Sequence, residues 1–231
     1  MTLPCHKDPA MLRGCKWGEH VRPILITAGA TRNPVDAMRF ISARSSGRTG
    51  VRLAESLEGM GDIHLLGSPE ALLRSPNGIQ TESYGSTDDL LVRMRTWVRE
   101  HPNGVVVHAS AVGDYMASPS ESQTHEKIES GQKELLLRLV PTPKILDQIH
   151  GWSEHIRIVS FKAAAPGVTG IDLEQVARNQ QRRTNSEIVF ANTIGDLDAS
   201  VALVTPSETT WFEDRVAGLE ELTQRIISLA T

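Results

Sequence analysis

Short apolar runs alternate with longer amphipathic segments along most of the chain. Runs of four or five residues, bounded by small or turn-forming residues, are typical of buried strands and lie at 24–27, 63–66, 105–109, 158–161, 188–191 and 201–204. Apolar residues at helical spacing predict helices at 49–58, after a capping box that begins at Ser86, at 173–183 and at 218–229. Because strands alternate with helices, the pattern predicts an α/β fold with a Rossmann-like, doubly wound and mainly parallel sheet.

The segment 116–142 departs from this alternation. A polar stretch at 118–124 precedes residues 127–139, in which Ser130 and Gly131 can form a turn between two strands. We therefore expect a β-hairpin arm over 116–142, inserted into the α/β body. No repeat, low-complexity tract or linker divides the remainder, so a single domain is expected over 21–231, preceded by an N-terminal extension over 1–20.

Composition narrows the class of protein. Hydrophobic residues make up 39% and charged residues 23% of the 231 positions, which excludes a largely disordered chain. Lysine and arginine number 24 against 28 aspartates and glutamates, and the resulting net charge of −4 disfavours a nucleic-acid binder. No run approaches the roughly 20 apolar residues of a membrane span, and the amino terminus lacks the apolar core of a secretory signal, so no membrane association is expected.

Both cysteines, Cys5 and Cys15, lie near the amino terminus and cannot staple a fold of this size. We therefore expect a reduced, cytoplasmic compartment. Together with His6 and His20 the cysteines could form a zinc site. The close cysteine pair that is usual for zinc is missing, however, which favours a loosely ordered extension.

The residues that follow the predicted strands are the first candidates for chemistry, because open α/β sheets bind ligands beyond the carboxyl ends of their strands. Ser45, Ser46 and Gly47 precede the predicted helix at 49–58, and their backbone N–H groups could hold phosphate oxygens. An ordinary loop with a serine N-cap explains the same residues equally well. Neither a Gly-rich dinucleotide fingerprint nor a Walker-type Gly-Lys-Ser sequence is present at this point.

Polar and aromatic residues near the later strands are further candidates, and some of them have a structural interpretation as well. Asp114 could bind a sugar hydroxyl, a base amine or Mg²⁺, or it could form a turn. Lys127 lies at the root of the arm, where a lone lysine is usually solvated. Phe161 fits a core position but could stack on a base, and the Asn192 amide could read a base edge.

A series of motifs resembles one known family when the motifs are taken in order. The motifs are ITAGATRNPVDAMRFISARSSGRTG at 26–50, AVGDY at 111–115, EKI at 126–128, LVPTPKIL at 139–146, VSFK at 159–162 and IVFAN at 188–192. No single motif is decisive, but their joint order and spacing over residues 22–228 resemble phosphopantothenate–cysteine ligase, also called phosphopantothenoylcysteine synthetase. The sequence at 142–145 is more similar to the stand-alone form of these ligases than to the two-domain form.

The resemblance implies a Rossmann-like enzyme of coenzyme A biosynthesis that acts as a homodimer, with active sites near the subunit interface. It implies Mg²⁺ and a nucleoside triphosphate, either CTP or ATP, with 4′-phosphopantothenate and cysteine as the other substrates. The carboxylate of 4′-phosphopantothenate attacks the α-phosphorus and expels pyrophosphate, and the cysteine amine then opens the acyl-nucleotidylate to give an amide. Positive groups and the metal must stabilise charge on the transferring phosphoryl group.

Carried over by position, the resemblance implies a catalytic role for three residues. Lys127 neutralises developing charge and lies on an arm that could close as a lid, Arg39 lies close to the reacting carboxylate, and Asp114 borders the nucleotide and the acyl group. Substrate contacts are implied for Arg39, Ala43, Ser110 and Ala111. Nucleotide contacts are implied for Ser45, Ser46, Gly47, Ala109, Ser110, Asp114, Lys127, Pro143, Lys144, Ile145, Leu146, Phe161 and Asn192, and the metal ligands stay open.

Ala43 departs from the family pattern, which usually has asparagine at the second position of Ser-Asn-x-Ser-Ser-Gly. That asparagine is associated with handling the acyl intermediate and the attack by cysteine, and alanine has no polar group to replace it. Three alternatives follow: a working ligase, a relative that uses another acid or amine or stops at the acyl-nucleotidylate, and a nucleotide-binding protein without turnover. A nicotinamide-dependent reductase fits less well, because Tyr115 is followed four positions later by Pro119 rather than by lysine.

Overall fold

The structure is a computed structural model that describes residues 21–119, 126–129, 131, 133–195 and 200–231. The predicted extension over 1–20, the zinc alternative within it and Ser130 of the predicted turn lie outside the described residues. None of the helices in the described ranges is long and apolar enough to cross a membrane. In chain order the elements are β1 (Ile24–Ala28), β2 (Arg32–Pro34), β3 (Phe40–Ser42), α1 (Arg48–Ser56), β4 (Ile63–Gly67), α2 (Pro69–Leu72), β5 (Gln80–Ser83), α3 (Thr87–Glu100), β6 (Val105–His108), β7 (Tyr115–Ala117), β8 (Leu139–Pro141), a 3-10 turn (Ile145–Gln148), α4 (Ile149–Trp152), β9 (Arg157–Ala164), α5 (Gly170–Thr184), β10 (Ile188–Thr193), β11 (Val201–Val204), β12 (Thr209–Phe212) and α6 (Arg215–Ala230).

Eight strands of the described chain form one sheet, in the order β12-β11-β10-β9-β6-β1-β4-β5. Neighbouring strands from β5 to β10 are parallel, whereas β11 and β12 pair antiparallel. The predicted α/β, Rossmann-like and mainly parallel sheet is therefore confirmed. The sequence pattern does not predict the edge strands β5 and β12, because β5 is polar and β12, with two threonines before its two aromatic residues, is not an uninterrupted apolar run.

Apolar layers cover both faces of the sheet. Strand β1 is buried along its whole length, as its uninterrupted ILITA sequence predicts for a central parallel strand. One face packs against α1 and α6 through residues such as Leu53 and Leu222, and the other packs against α3 and α4 through Leu90 and Ile149. This burial, at about 25 cal/mol per Å² of apolar surface, is the main source of stability for the layers that hold the strand ends in place.

Local signals decide where the helices begin. The Ser86 hydroxyl accepts the N–H of Asp89 at 3.2 Å, which confirms the predicted start of α3. Helix α1 begins after Gly47, which adopts a left-handed conformation with a φ of 74°, and among the described residues no side chain caps the helix. The alternative of an ordinary serine N-cap before α1 is therefore wrong. Without a capping side chain, the first N–H groups of α1 stay available for a ligand.

Within the part of the predicted arm that the structure describes, paired strands lie at its root. Strands β7 and β8 form an antiparallel ladder in which Tyr115 lies opposite Pro141 and Ala117 lies opposite Leu139. The described residues 126–129 and 133–138 form no strand, so the prediction of strands on both sides of a turn is wrong for these positions. The physical reason is that Ile128 is hydrogen-bonded to the loop before β3 instead of to a neighbouring strand.

A second small hairpin, β2–β3, packs beside the arm. Val35, Ala117 and Ile128 form a small apolar cluster between the hairpin and the arm, with Ile41 and Leu137 against it. Sequence periodicity does not predict this hairpin, because its strands have three residues each and one of them ends in proline. The hairpin follows β1 and the arm follows β6, so the two lie beyond the carboxyl ends of these central strands.

Candidate functional site

The loops that follow β1 and β6 meet where the order of strands reverses. The chain runs from β1 outward to β4 and β5 and then returns to β6 on the other side of β1. Ala30 and Ala111 form a bridge at this point, where the N–H of Thr31 lies 3.1 Å from the Ala111 carbonyl and the N–H of Ala111 lies 2.8 Å from the Gly29 carbonyl. Such a reversal is the usual ligand crevice of an open α/β sheet. The β2–β3 hairpin and the arm follow these same two strands.

Two glycines bring the first turn of α1 against the end of β1. A Cβ atom on Gly47 would overlap Ala71 and lie 2.9 Å from the Gly29 nitrogen, and a Cβ atom on Gly29 would overlap Ser68. Both glycines have positive φ angles, 74° and 95°, which other residues rarely adopt. The first turn of α1 contains no acidic residue. Its N–H groups therefore present partial positive charge beside the crevice, an arrangement that suits a phosphate group.

The loop that precedes α1 adds two hydroxyl groups. Ser45 is half-buried and its hydroxyl accepts the Gly47 N–H at 3.4 Å, whereas Ser46 is exposed. Ala43 is half-buried, and its carbonyl accepts the hydroxyl of Ser42 at 3.1 Å. The structure thus brings Ser45, Ser46 and Gly47 together at one helix start, with no polar side chain at position 43.

Side chains from β1, from β6 and from the residue after β5 fix the loop after β6. The Thr27 hydroxyl accepts the Ser110 N–H at 3.1 Å and lies 3.0 Å from His108 Nδ1. The Tyr84 hydroxyl donates to a carbonyl of β1 at 2.9 Å, so it accepts its second hydrogen bond, at 2.8 Å, from the Ser110 hydroxyl. Burial raises the pKa of Tyr84, which keeps the phenol neutral. Ser110 and its half-buried alanine neighbours at 109 and 111 are therefore held in a fixed loop at the crevice.

His108 is a neutral part of this support. Only 7% of its surface is exposed, and burial lowers its pKa to about 4 because the charged imidazolium would lose its hydration. At neutral pH the ring therefore carries no charge. Sequence reasoning does not single out His108 as a structural residue, because its burial depends on the neighbouring strands β1 and β9.

We expect the free energy of unfolding to fall as the pH is lowered from about 6.5 to 4. The unfolded chain binds a proton at His108 near pH 6.5, whereas the folded chain binds it only near pH 4, so acid favours the unfolded state in this window. The full window corresponds to a loss on the order of 3 kcal/mol. Urea unfolding over this pH range measures the effect, and His108→Asn is expected to show a weaker pH dependence than the wild type.

Two other histidines serve as comparisons for this prediction. Burial also lowers the pKa of His64, so part of the acid sensitivity is expected to persist in His108→Asn. His155 is exposed, and His155→Asn is expected to keep the slope of the wild type. Equal slopes for His108→Asn and the wild type would contradict the assignment of a buried neutral imidazole at position 108.

Asp114 and Lys144, both predicted to contact the nucleotide, form an ion pair with each other. Their side chains are 68% and 58% exposed, so a ligand can reach both groups. Thr142 holds the two loops together, because its N–H donates to the Asp114 carbonyl at 3.0 Å and its hydroxyl donates to the Gly113 carbonyl at 2.5 Å. This pair therefore places one carboxylate and one ammonium at the root of the arm.

The residues around Lys144 mainly support the loop. Ile145 is 2% exposed and Leu146 is half-buried, and both pack in the core on the face that α3 and α4 cover. Pro143 is half-buried beside them. The side chains of Ile145 and Leu146 are thus core groups, and a nucleotide contact at these positions would come from the backbone.

Arg39 and Lys127 are both predicted to be catalytic, and Asp36 links the segments that carry them. Sequence reasoning does not identify Asp36. The side chain of Asp36 has no exposed surface and accepts hydrogen bonds from Arg39 Nε at 2.9 Å and Nη2 at 2.6 Å. Arg39 Nη2 also donates to the carbonyl of Ile128 at 2.7 Å. The Arg39 guanidinium holds the pKa of Asp36 well below its usual range. Lys127 is exposed and directly precedes Ile128 in the chain.

Phe161 and Asn192 lie on the neighbouring strands β9 and β10. Phe161 is half-buried, and its ring packs against that of Phe190 with centroids 5.2 Å apart. Asn192 is half-buried near the end of β10 and donates from its amide to the Thr193 carbonyl at 3.2 Å. Phe161 therefore fills the core role that its sequence also allows, and a partly exposed face is left for a ligand.

Arg215 is a further cation at the first turn of α1. Its Nη2 donates to the Thr49 hydroxyl at 3.0 Å, and its guanidinium carbon lies 5.0 Å from the centre of the Phe190 ring. Its Nη1 is buried and has no hydrogen-bond partner among the described residues. Burial lowers the pKa of Arg215 because the charged guanidinium loses hydration. The local sequence shows only the start of a helix at this position and carries no signal of the contact.

Residues 20–224 match the protein family described as the DNA/pantothenate metabolism flavoprotein C-terminal domain. The coenzyme A biosynthesis bifunctional protein CoaBC of Thermococcus kodakarensis is 34% identical over 186 residues, which cover 78% of this chain and 44% of that protein. The chain spans less than half the length of the curated relatives it matches.

Solved structures agree with the family match. The DNA/pantothenate metabolism flavoprotein from Streptococcus pneumoniae has a TM-score of 0.79 at 25% identity, with 90% of this chain and 99% of that chain covered. A Cab2 variant in complex with phosphopantothenate-cysteine shares the fold, with a TM-score of 0.72 at 17% identity over 91% of this chain and 89% of that chain. The chain thus belongs to the family of the DNA/pantothenate metabolism flavoprotein C-terminal domain.

Proposed function

We propose that this chain joins the carboxylate of 4′-phosphopantothenate to the amine of cysteine and uses a nucleoside triphosphate to activate the acid. The observation that carries the proposal is the uncapped first turn of α1, which Gly29 and Gly47 seat against the end of β1 at the crevice. Membership of the family and the similarity to CoaBC, whose name places it in coenzyme A biosynthesis, support this use of a phosphate site.

The proposed reaction has two steps. In the first, a carboxylate oxygen forms a bond to the α-phosphorus while the bond to pyrophosphate breaks, and pyrophosphate leaves with the electron pair. In the second, the cysteine amine attacks the acyl carbon, the C–N bond forms, the nucleoside monophosphate leaves and the amine nitrogen loses a proton. Negative charge on the phosphoryl oxygens and on the leaving group has to be stabilised, so fixed positive groups at the crevice account for much of the catalysis.

The first turn of α1 binds the phosphates in this proposal. Its N–H groups and the hydroxyls of Ser45 and Ser46 donate to phosphate oxygens. The buried charge of Arg215, held on Thr49 in the same turn, adds to the positive potential and gains a compensating anion when the nucleotide binds.

Lys127 and Arg39 act on the reacting acid and the transferring phosphoryl group. Lys127 is exposed, and its ammonium stabilises charge that develops in the first step. The Arg39 side chain is 46% exposed, and its Nη1 makes no hydrogen bond to the described residues, so this nitrogen can donate to the substrate carboxylate. The fixed loop at Ser110 lines the other side of the crevice.

Mg²⁺ fits the described residues as an ion carried by the nucleotide. No group of three or more histidine, cysteine, aspartate or glutamate side chains in the described ranges could hold a metal ion by itself. Mg²⁺ in nucleotide sites typically uses one or two carboxylates with phosphates and waters, and the exposed carboxylate of Asp114 could provide one ligand. When bound, the ion would offset phosphate charge and make pyrophosphate a better leaving group.

CTP and ATP are the two nucleotides that we propose. Phe161 could stack on either base, the Asn192 amide could read a base edge, and the loop of Pro143 and Lys144 lies at the root of the arm. A cytoplasmic location agrees with a reaction that consumes a nucleoside triphosphate.

A homodimer would cover the apolar surface of the two insertions. Large apolar side chains on the hairpin and the arm are exposed, among them Met38 at 66%, Tyr115 at 54% and Leu136 at 80%. Exposed apolar surface of this kind marks protein interfaces. A second copy of the chain on this surface would place a subunit interface beside Lys127, and sedimentation equilibrium measures whether the dimer forms.

A coupled assay tests the proposed function. Protein, Mg²⁺ and 4′-phosphopantothenate are mixed with CTP or ATP, and pyrophosphate and amide are followed with and without cysteine. Formation of both products supports the ligase, and the faster nucleotide identifies the preferred base. Nucleotide binding without release of pyrophosphate would reject the proposal in favour of a non-catalytic nucleotide-binding protein.

A second candidate function follows from Ala43. The position is half-buried in the loop before α1 and has no side-chain donor or acceptor. A relative that stops at the acyl-nucleotidylate, or that uses another acid or amine, would have no need for an amide group there. Release of pyrophosphate without amide in the same assay would favour this candidate.

We expect Ala43→Asn to raise the rate of amide formation by up to about tenfold, the scale of one added hydrogen bond. The reason is that the new amide could hold the acyl intermediate or the incoming amine. The ratio of amide to pyrophosphate measures the effect, and Ala43→Leu is the control with similar volume and no polar group. A lower ratio in Ala43→Asn than in Ala43→Leu would refute the idea that a side-chain amide is the missing part.

A further inference from the structure

We propose that Asp36 is a positioning residue whose carboxylate fastens the arm at Ile128, next to Lys127, to the β2–β3 hairpin. We call this set of contacts between Asp36, Arg39 and Ile128 the lock. The role of Lys127 in this inference rests on the proposed ligase reaction. The lock itself rests on the contacts of Asp36, Arg39 and Ile128, which are independent of the reaction.

The two carboxylate oxygens of Asp36 have different partners. Oδ1 accepts the backbone N–H groups of Met38 at 2.9 Å and Arg39 at 2.7 Å, which closes the turn between β2 and β3. Oδ2 accepts the N–H of Ile128 at 3.1 Å and two N–H groups of the Arg39 guanidinium at 2.9 and 2.6 Å. One oxygen thus serves the local turn, and the other fastens the arm.

The residues on both sides of Lys127 are held by this lock. The Glu126 carbonyl accepts the N–H of Ala37 at 3.0 Å, and the Ile128 carbonyl accepts Arg39 Nη2 at 2.7 Å. The Ile128 side chain is 9% exposed and packs in the apolar cluster between the hairpin and the arm. Lys127 is left as the exposed residue between two fixed neighbours, so its backbone has a defined position beside the crevice.

The physical value of the lock lies in the placement of a long, flexible side chain. A lysine ammonium on an unconstrained loop would spend most of its time away from the reacting group, and a displacement of about 1 Å can reduce a rate by a factor of about 100. Since Asp36 is buried and accepts five hydrogen bonds, removing the partners on Oδ2 would release the arm while leaving the turn closed.

The Asp36→Asn variant removes the hydrogen bonds that fasten the arm and keeps those that close the turn. Asparagine keeps the acceptor that serves the turn and replaces Oδ2 by an amide NH₂, which cannot accept from Arg39 or Ile128. Limited digestion with trypsin, followed by mass spectrometry, measures cleavage after Lys127 through the fragment that begins at Ile128. We expect this cleavage to be about 10- to 100-fold faster in Asp36→Asn than in the wild type, the scale of losing hydrogen bonds to a charged group.

Glu174→Gln is the matched control for the digestion. Glu174 on α5 also accepts from an arginine four residues on, Arg178 at 2.8 Å, and from the Thr209 hydroxyl at 2.7 Å, without touching the arm. In the Glu174→Gln variant, the rate of cleavage after Lys127 is expected to match that of the wild type. Unchanged cleavage after Lys127 in Asp36→Asn, or an equal increase in Glu174→Gln, would overturn the lock.

Kinetics test the positioning role. We expect Asp36→Asn to lower kcat about 10- to 100-fold with little change in nucleotide affinity. In a Lys127→Ala background the same change is expected to cost clearly less, because the part that acts through Lys127 is already lost and only the part that acts through Arg39 is left. Multiplicative losses in the double variant would overturn the positioning role. If the wild type shows no ligase activity, the proposed function fails, whereas the digestion still decides whether the lock exists.

Discussion

The Lys127→Ala variant is expected to form the amide about 100- to 1000-fold more slowly than the wild type, the scale of losing one electrostatic stabiliser. Lys127 is exposed at a point where both neighbouring residues are fixed to the β2–β3 hairpin. Its ammonium stabilises negative charge that develops only as the P–O bond to pyrophosphate breaks. The loss is therefore expected mainly in kcat rather than in nucleotide affinity, and steady-state kinetics with CTP and ATP separate the two.

Two variants control for this expectation. Lys133→Ala removes another exposed lysine of the arm and is expected to keep nearly full activity. Lys127→Arg keeps the charge but replaces a compact ammonium by a planar guanidinium, and an intermediate rate is expected. A wild-type kcat for Lys127→Ala would remove this lysine from the mechanism.

The Gly47→Ala variant is expected to lose about 2–5 kcal/mol of unfolding free energy, from a left-handed backbone and an overfilled contact together. Gly47 has a φ of 74°, and a Cβ atom there would overlap Ala71 and approach the Gly29 nitrogen to 2.9 Å. Relief of this overlap moves α1 away from the end of β1. Nucleotide binding is therefore expected to weaken at least about tenfold, since the N–H groups of the first turn lose their place.

The Gly59→Ala variant separates the cost of the left-handed backbone from the cost of the overfilled contact. Gly59 also has a positive φ, 83°, but a Cβ atom there would meet nothing within 4 Å. This variant is expected to cost only the backbone term, about 1–2 kcal/mol, and to bind nucleotide normally. Urea unfolding and nucleotide titration of both variants measure the difference. Equal stability and equal affinity of the two variants would show that the close approach of α1 to β1 does not position the phosphate site.

Most of the central sheet could be predicted from the sequence because its strands are buried on both faces. The ILITA run of β1 and the VVVH run of β6 have no polar alternation, and such runs between helical segments indicate a parallel sheet. The edge strands β5 and β12 are not predicted, because β5 is polar throughout and the TTWF sequence of β12 is not an uninterrupted apolar run. The sequence predicts more strand pairing in the arm than the described residues show. The reason is that Ile128 is hydrogen-bonded to the β2–β3 hairpin and not to a neighbouring strand of the arm.

Local sequence predicts some features of the crevice and misses others. The small and hydroxylated residues before α1 point to a phosphate site from sequence, and the small and polar residues after β6 point to a ligand contact, since small residues and helix starts are local features. The pairing of Asp114 with Lys144 and the core role of Ile145 were not predictable, because each depends on a neighbour that folding supplies.

Local sequence is enough to predict the α/β alternation and the start of α3, because periodicity and capping act over a few neighbouring residues. Two contacts of the site depend on tertiary structure instead. Asp36 binds Ile128, 92 residues away in the chain, and Arg215 binds Thr49, 166 residues away. Such contacts depend on the packing of whole elements, which brings distant backbone and side-chain groups into a shared low-dielectric environment. No local pattern records them, and the chemistry proposed for Lys127 depends on one of them.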